Sequence, residues 1–100
     1  MDRNSKVITY KELVQMLNSS ADIILVDVRS MQEYSEEHLP GSINIPVYEL
    51  NQYADYILTD KDRMIVVYCQ NNGRSIEALE ILESKGYNNV YQLDGGLDSI

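Results

Sequence analysis

MIVVYCQNNGRS, residues 64–75, joins the most apolar run of the chain to a polar loop that begins at its single cysteine. The run Met64–Tyr68 is typical of a strand buried on both faces, so we expect it at the centre of a sheet. Cys69 ends this strand, and a helical pattern starts at Ser75. A strand end, loop amides and a helix N-terminus together form an anion cradle, which predicts that the sulfur is held as a thiolate.

Strand and helix signals alternate along the rest of the chain. Thr9 with Glu12, and Ser30 with Glu33, match the capping box that opens a helix. The alternation predicts an α/β domain with three layers, in which helices cover both faces of a mainly parallel sheet of about five strands. The remaining expected segments are an edge strand at 7–8, a buried strand at 23–26, a turn and short strand within 38–46, helices at 47–58 and 75–85, and a last strand at 90–93.

Length and composition narrow the class of protein. We expect residues 1–100, with 44% apolar residues, to form one domain. The net charge of −8 argues against nucleic acid and anionic membranes as partners. The longest apolar run is far below the roughly 20 residues that cross a bilayer. One cysteine forms no internal disulfide, and the polar start Met1–Lys6 lacks a signal-peptide core, so we expect a cytoplasmic protein.

The polar loop separates two interpretations of Cys69. An unpaired cysteine at the end of a strand is commonly a small apolar core residue. A structural cysteine, however, needs neither Gly73 nor Arg74 nor a helix that starts beside it. A thiolate in such a loop can attack a sulfane sulfur, and the same amides can stabilise the anionic adduct. We therefore favour a reactive cysteine.

Several ordered motifs stand out along the chain: DVR at 27–29, Tyr34, HLPGSINIP at 38–46, Tyr68–Ser75, Gly86 and 90–96. Together these motifs resemble those of a single-domain rhodanese, the sulfurtransferase homology domain. The resemblance implies that Cys69 takes a sulfane sulfur from a small anionic donor such as thiosulfate and carries it as a persulfide. It also implies transfer to cyanide or a cellular thiol, including a protein thiol, without cofactor or metal. The substrate-binding residues implied are Gln70, Asn71, Asn72, Gly73, Arg74 and Ser75, with Arg74 docking the donor.

Loop length and three departures refine this resemblance. Four residues separate Cys69 from Arg74, as in the sulfurtransferase branch, whereas related phosphatases and arsenate reductases have one more. Asn72 stands where the family commonly has glycine, and since asparagine can adopt a positive φ, we expect the turn to be kept at some cost. Arg74 is the only charged loop residue, so we expect modest affinity for thiosulfate. Leu97 replaces a usual aromatic residue before the end of the chain, which predicts a reduced cap. A non-catalytic binding or sulfur-carrier module, and a phosphatase or arsenate reductase, remain alternatives.

Three further residues near the motifs are interpreted as structural. His38, the only histidine, lies in a turn, so we expect it to bond the backbone rather than act as a general base. Asp27 and Arg29 flank a strand end, and we expect them to form an ion pair that fixes the following loop. One cysteine and one histidine are too few ligands for a zinc site.

Overall fold

A computed structural model describes residues 6–19 and 22–100. The start of the chain, on which the expected cellular location rests, lies outside this part except for Lys6. Strands and helices alternate as the sequence predicts. They are β1 (Val7–Ile8), α1 (Tyr10–Asn18), β2 (Ile23–Asp27), α2 (Met31–Glu36), β3 (Ile43–Asn44), α3 (Val47–Ile57), β4 (Met64–Tyr68), α4 (Gly73–Ser84), β5 (Val90–Leu93) and a 3₁₀ helix, Gly96–Ser99.

The strands form one parallel sheet in the order β1-β5-β4-β2-β3. The prediction that Met64–Tyr68 lies at the centre is confirmed, and so is the edge position of β1. In the register between β2 and β4, Asp27 is opposite Tyr68. The residues that follow these two strands, 28–29 and 69–70, therefore emerge side by side at the carboxyl edge, where parallel α/β sheets bind ligands.

The two faces of the sheet carry separate apolar clusters, because side chains alternate along each strand. Val67 packs with residues of α3 and α4 on one face. Val66 and Tyr68 pack with Leu13 of α1 on the other. Both predicted capping boxes are present, at Thr9 and at Ser30. The predicted layering, with helices on both faces of the sheet, is confirmed.

Two helix boundaries bear on the predictions. Gly86, just after α4, has a φ of +93°, the left-handed conformation that commonly ends a helix. At its other end α4 starts at Gly73, two residues earlier than predicted. The first turn of α4 is therefore part of the polar loop, and Arg74 lies within that turn. No helix among residues 6–19 and 22–100 is long and apolar enough to span a membrane.

Tyr68 ties the turn before β3 to the end of the central strand. Its side chain is fully buried, and its hydroxyl accepts a hydrogen bond of 3.0 Å from the Leu39 amide. The hydroxyl also lies 3.1 Å from the Ser42 Oγ, which in turn donates to the Leu39 carbonyl. Burial raises the pKa of Tyr68 to about 12, so the hydroxyl stays protonated at neutral pH.

We predict that Tyr68→Phe lowers the free energy of unfolding by about 1–3 kcal/mol, because the Leu39 amide loses its buried acceptor. Urea denaturation monitored by circular dichroism measures the change. Tyr56→Phe is the matched control: Tyr56 is 80% exposed, and its change should stay within about 0.5 kcal/mol. Equal midpoints for the two variants would contradict this account of Tyr68.

Candidate active site

Cys69 lies directly after β4 at the carboxyl edge of the sheet. Its side chain is 1% exposed and packs with the apolar cluster beneath α3 and α4. Burial of this kind is typical of a structural cysteine, since reactive cysteines are commonly partly exposed, so the side chain alone does not mark Cys69 as reactive. The backbone of the loop that follows carries the distinguishing geometry.

The carbonyl oxygens of the loop are held on its outer side. The Cys69 carbonyl accepts a hydrogen bond from the Leu97 amide at 3.0 Å, and the Gln70 carbonyl accepts one from the Asp98 amide at 2.9 Å. Farther along, the Asn72 carbonyl accepts from the Ile76 amide at 3.0 Å. The 3₁₀ helix and the first turns of α4 therefore fix the direction of three loop carbonyls.

This anchoring also sets the direction of the loop amides. A trans peptide unit places its N–H opposite its C=O, and no cis peptide bond occurs among the described residues. The amides of Gln70 and Asn71 therefore point away from the 3₁₀ helix. Within residues 6–19 and 22–100, neither amide has a hydrogen-bond acceptor in the protein. Two adjacent, unpaired N–H groups thus follow the cysteine.

The two asparagines of the loop satisfy different backbone groups. The Oδ1 atom of Asn71 accepts hydrogen bonds from the amides of Asn72 at 2.7 Å and Gly73 at 3.3 Å. The Oδ1 atom of Asn72 instead accepts from the Gly95 amide at 2.9 Å. The positive φ that asparagine can adopt is not used at Asn72, since its φ is −133°. The contact with Gly95 and the early start of α4 hold the backbone of Asn72 at a negative φ. The loop therefore needs no residue with a left-handed backbone conformation at this position.

Arg74 is paired with Glu33, which lies on α2. Its Nη1 and Nη2 atoms donate to the two carboxylate oxygens of Glu33 at 2.6 and 3.1 Å. The hydrogen bonds from Arg74 lower the pKa of Glu33 to about 2, and the same bonds raise the pKa of Arg74. At rest, the only charged side chain of the loop has an internal counterion.

The predicted ion pair between Asp27 and Arg29 is present and buried, with Nη2 and Oδ2 2.8 Å apart. Arg29 also donates to the Glu37 carbonyl at 2.6 Å and, through Nη1, lies 3.4 Å from the Gln70 Oε1. The Nε2 atom of Gln70 donates to Asp98 at 2.7 Å. The Gln70 side chain therefore connects the end of β2 to the 3₁₀ helix.

Two other predicted residues, Ser75 and His38, make their contacts elsewhere than at the loop amides. The Ser75 hydroxyl is fully buried and lies within hydrogen-bond distance of the Asn72 carbonyl, at 3.1 Å, and the Gln92 Oε1, at 2.8 Å. His38 is exposed, stacks on the Tyr34 ring and places its Nδ1 2.7 Å from the Tyr34 carbonyl. It lines an open cleft of about 320 Å³ together with Glu37, Leu39, Leu97 and Ile100.

Comparison with known proteins identifies the family. The model of the rhodanese-like domain matches residues 9–100. The chain belongs to the rhodanese-like family. It is 39% identical over 75 residues to the thiosulfate sulfurtransferase PspE of Escherichia coli, covering 75% of this chain and 71% of that protein. It is 29% identical to the thiosulfate sulfurtransferase GlpE of Coxiella burnetii, covering 90% and 86%.

Solved structures agree with this placement of the rhodanese-like chain. The human single-domain sulfurtransferase TSTD1 superposes with a TM-score of 0.83 at 26% identity, covering 94% of this chain and 93% of that one. Two further relatives are much longer proteins: the chain spans 25% of the tRNA uridine(34) hydroxylase of Bdellovibrio bacteriovorus and 21% of the uba4 adenylyltransferase and sulfurtransferase of Ogataea parapolymorpha.

Sequence reasoning missed several residues that build this rhodanese-like site. The sequence predicts only a capping role for Glu33, and its carboxylate does accept a hydrogen bond from the Ser30 amide at 3.1 Å. The same carboxylate also pairs with Arg74, 41 positions away in the sequence. Gly96 lies against the loop backbone, and the amides of Leu97 and Asp98 donate to the carbonyls of Cys69 and Gln70. Nothing local in the sequence signals either contact. Because Arg74 is the only cation of the loop, an acidic partner is expected for it, and Glu33 is one of several candidates in the sequence.

We predict that Gly96→Ala disrupts the loop. A Cβ atom there would collide with the Cys69 carbonyl oxygen and lie 2.6 Å from the Asn71 carbonyl oxygen, at a φ of +57°. Gly41→Ala is the matched control, since its φ is +82° but nothing lies within 4 Å of an added Cβ. Backbone strain alone costs about 1–3 kcal/mol. Urea denaturation should show a larger loss for Gly96→Ala, and equal losses would refute the close approach.

We predict that Glu33→Gln lowers the free energy of unfolding by about 1 kcal/mol near neutral pH, the range of a partly exposed ion pair. The pKa of Glu33 is about 2 in the folded chain against an ordinary 4.5. Its contribution is therefore complete above pH 4.5 and lost as the pH falls toward 2. Urea denaturation at several pH values should show the wild-type advantage shrinking over this interval. A constant advantage would contradict the ion pair, and Glu77→Gln serves as the exposed control.

Proposed function

We propose that this rhodanese-like chain is a sulfurtransferase that carries sulfane sulfur as a persulfide on Cys69. One observation carries the proposal: the amides of Gln70 and Asn71 follow the cysteine, lack protein acceptors and point away from the 3₁₀ helix. Unpaired N–H groups of successive residues stabilise an anion. We propose that these two amides face the sulfur of Cys69. The thiosulfate sulfurtransferase names of similar proteins support it.

The proposed reaction has two balanced steps. In the first, the Cys69 thiolate attacks the outer sulfur of thiosulfate, so that the Sγ–S bond forms, the S–S bond of the donor breaks, and sulfite leaves with the electron pair. In the second, cyanide or an acceptor thiolate attacks the outer sulfur of the persulfide, and Cys69 leaves as a thiolate. The loop amides stabilise the negative charge that resides on the added sulfur between the steps. Both steps take place at the sulfur atoms themselves. We also propose that the protein works inside the cell.

One observation favours a second candidate, a sulfur-carrier module that loads from a partner protein and turns over thiosulfate slowly. Glu33 neutralises Arg74, the only cation of the loop, so a dianionic donor gains less from it than from a free guanidinium. The chain then binds sulfur on Cys69 in the same way but exchanges it with a protein thiol.

Intact-mass spectrometry tests the proposal. We predict that incubation with thiosulfate adds the mass of one sulfur atom to the wild-type chain, because Cys69 is its only thiol, and that dithiothreitol removes it. Cys69→Ser should gain nothing. Ser75→Ala is a useful companion, since it keeps the thiol. A mass gain that persists in Cys69→Ser, or no gain in the wild type with any sulfane-sulfur donor, would refute the proposal.

Thiocyanate formation separates the enzyme from the carrier. A sulfurtransferase forms many equivalents of thiocyanate when thiosulfate and cyanide are both present, whereas a carrier forms about one equivalent from a preloaded persulfide and then stops.

A further inference from the structure

We infer that the Asn71 carboxamide acts as an internal competitor for the anionic sulfur donor and so helps to set donor selectivity. This inference rests on the proposed function, because it concerns the loop that would receive the donor. Asn71 would leave the loop amides when an anion binds and return when the site empties. Its role would be to position and select, without contact with the reacting bond.

The geometry at rest supports the competition. The Asn71 Oδ1 accepts from the amides of Asn72 and Gly73 at 2.7 and 3.3 Å. These two N–H groups belong to the loop that the proposed mechanism assigns to the donor. A carboxamide oxygen is a neutral acceptor that presents a partial negative charge. It therefore satisfies, without a ligand, donors that an oxyanion would otherwise take.

The charges around the loop decide which ligands can displace it. Arg74 already has its counterion in Glu33. The backbone N–H groups of the loop are therefore the hydrogen-bond donors that remain for an anion. Hydrogen bonds to an ionised acceptor are roughly twice as strong as those between neutral groups. An oxyanion can thus replace the carboxamide, whereas a neutral ligand gains nothing by doing so. The exchange selects for charged donors while reducing their affinity.

The loop can release Asn71 without losing its shape. Asn71 is exposed, and the loop carbonyls are held independently by Leu97, Asp98 and Ile76. The neighbouring Asn72 differs, since its Oδ1 accepts from Gly95 and ties the loop to the 3₁₀ helix. Of the two asparagine side chains, that of Asn71 can leave at lower cost.

The test compares Asn71→Ala, Asn71→Asp and wild type in steady-state thiosulfate:cyanide assays. We expect Asn71→Ala to lower the KM for thiosulfate about two- to tenfold, the factor that corresponds to one net hydrogen bond. Asn71→Asp should raise it, because a carboxylate holds the amides more tightly and repels the dianion. Asn51→Ala, an exposed asparagine on α3, is the control and should match the wild type. Circular dichroism verifies folding of each variant.

Binding to the non-reacting Cys69→Ser chain gives a second measurement that needs no turnover. Thiosulfate should shift the backbone amide resonances of Asn72 and Gly73 in nuclear magnetic resonance spectra, and the additional Asn71→Ala change should tighten binding. Shifts confined to other loop amides, or an unchanged or raised KM in Asn71→Ala, would overturn the inference. Sulfur loading in all chains with equal KM values refutes the role of Asn71 alone, whereas no loading of the wild type refutes the proposed function.

Discussion

The geometry of the loop after Cys69 depends on how its carbonyl oxygens are anchored. The amides of Leu97 and Asp98 bind the carbonyls of Cys69 and Gln70 from behind, and Gly96 permits the approach because a side chain there would collide with the loop backbone. The planarity of the peptide unit converts this anchoring into a fixed direction for the amides of Gln70 and Asn71. The short helix after the last strand thereby orients the peptide groups after the cysteine.

The charges at this edge are arranged to cancel at rest. Arg29 binds Asp27 at the buried end of β2, and Arg74 of α4 binds Glu33 of α2. Both arginines thus have carboxylate partners, and the net charge of the chain is −8. Stabilisation of an added sulfur would then come mainly from backbone dipoles, which are fixed by the fold and carry no counterion to displace. The modest thiosulfate affinity expected from the sequence stays a prediction.

The sequence predicted most of the fold because its signals are local. The apolar run before Cys69 and the capping pairs at Thr9 and Ser30 each identify an element from a few adjacent residues. The position of Cys69 at the carboxyl edge followed from the alternation of strands and helices. Long-range partners could not be predicted in this way: Glu33 reaches Arg74 across the sheet edge, and Asn72 keeps a negative φ because it meets Gly95. Such contacts depend on the assembled structure, because the sequence alone offers several equivalent partners to each polar group.

The central claim is that the amides of Gln70 and Asn71 serve the sulfur of Cys69. The most direct measurement compares their backbone amide resonances in the reduced and persulfide forms of the chain by nuclear magnetic resonance. The account predicts that these two resonances shift downfield on persulfide formation, since they gain an anionic acceptor, while those of Leu97 and Asp98 stay nearly constant. Unchanged Gln70 and Asn71 resonances in a chain shown by mass to carry the added sulfur would contradict it.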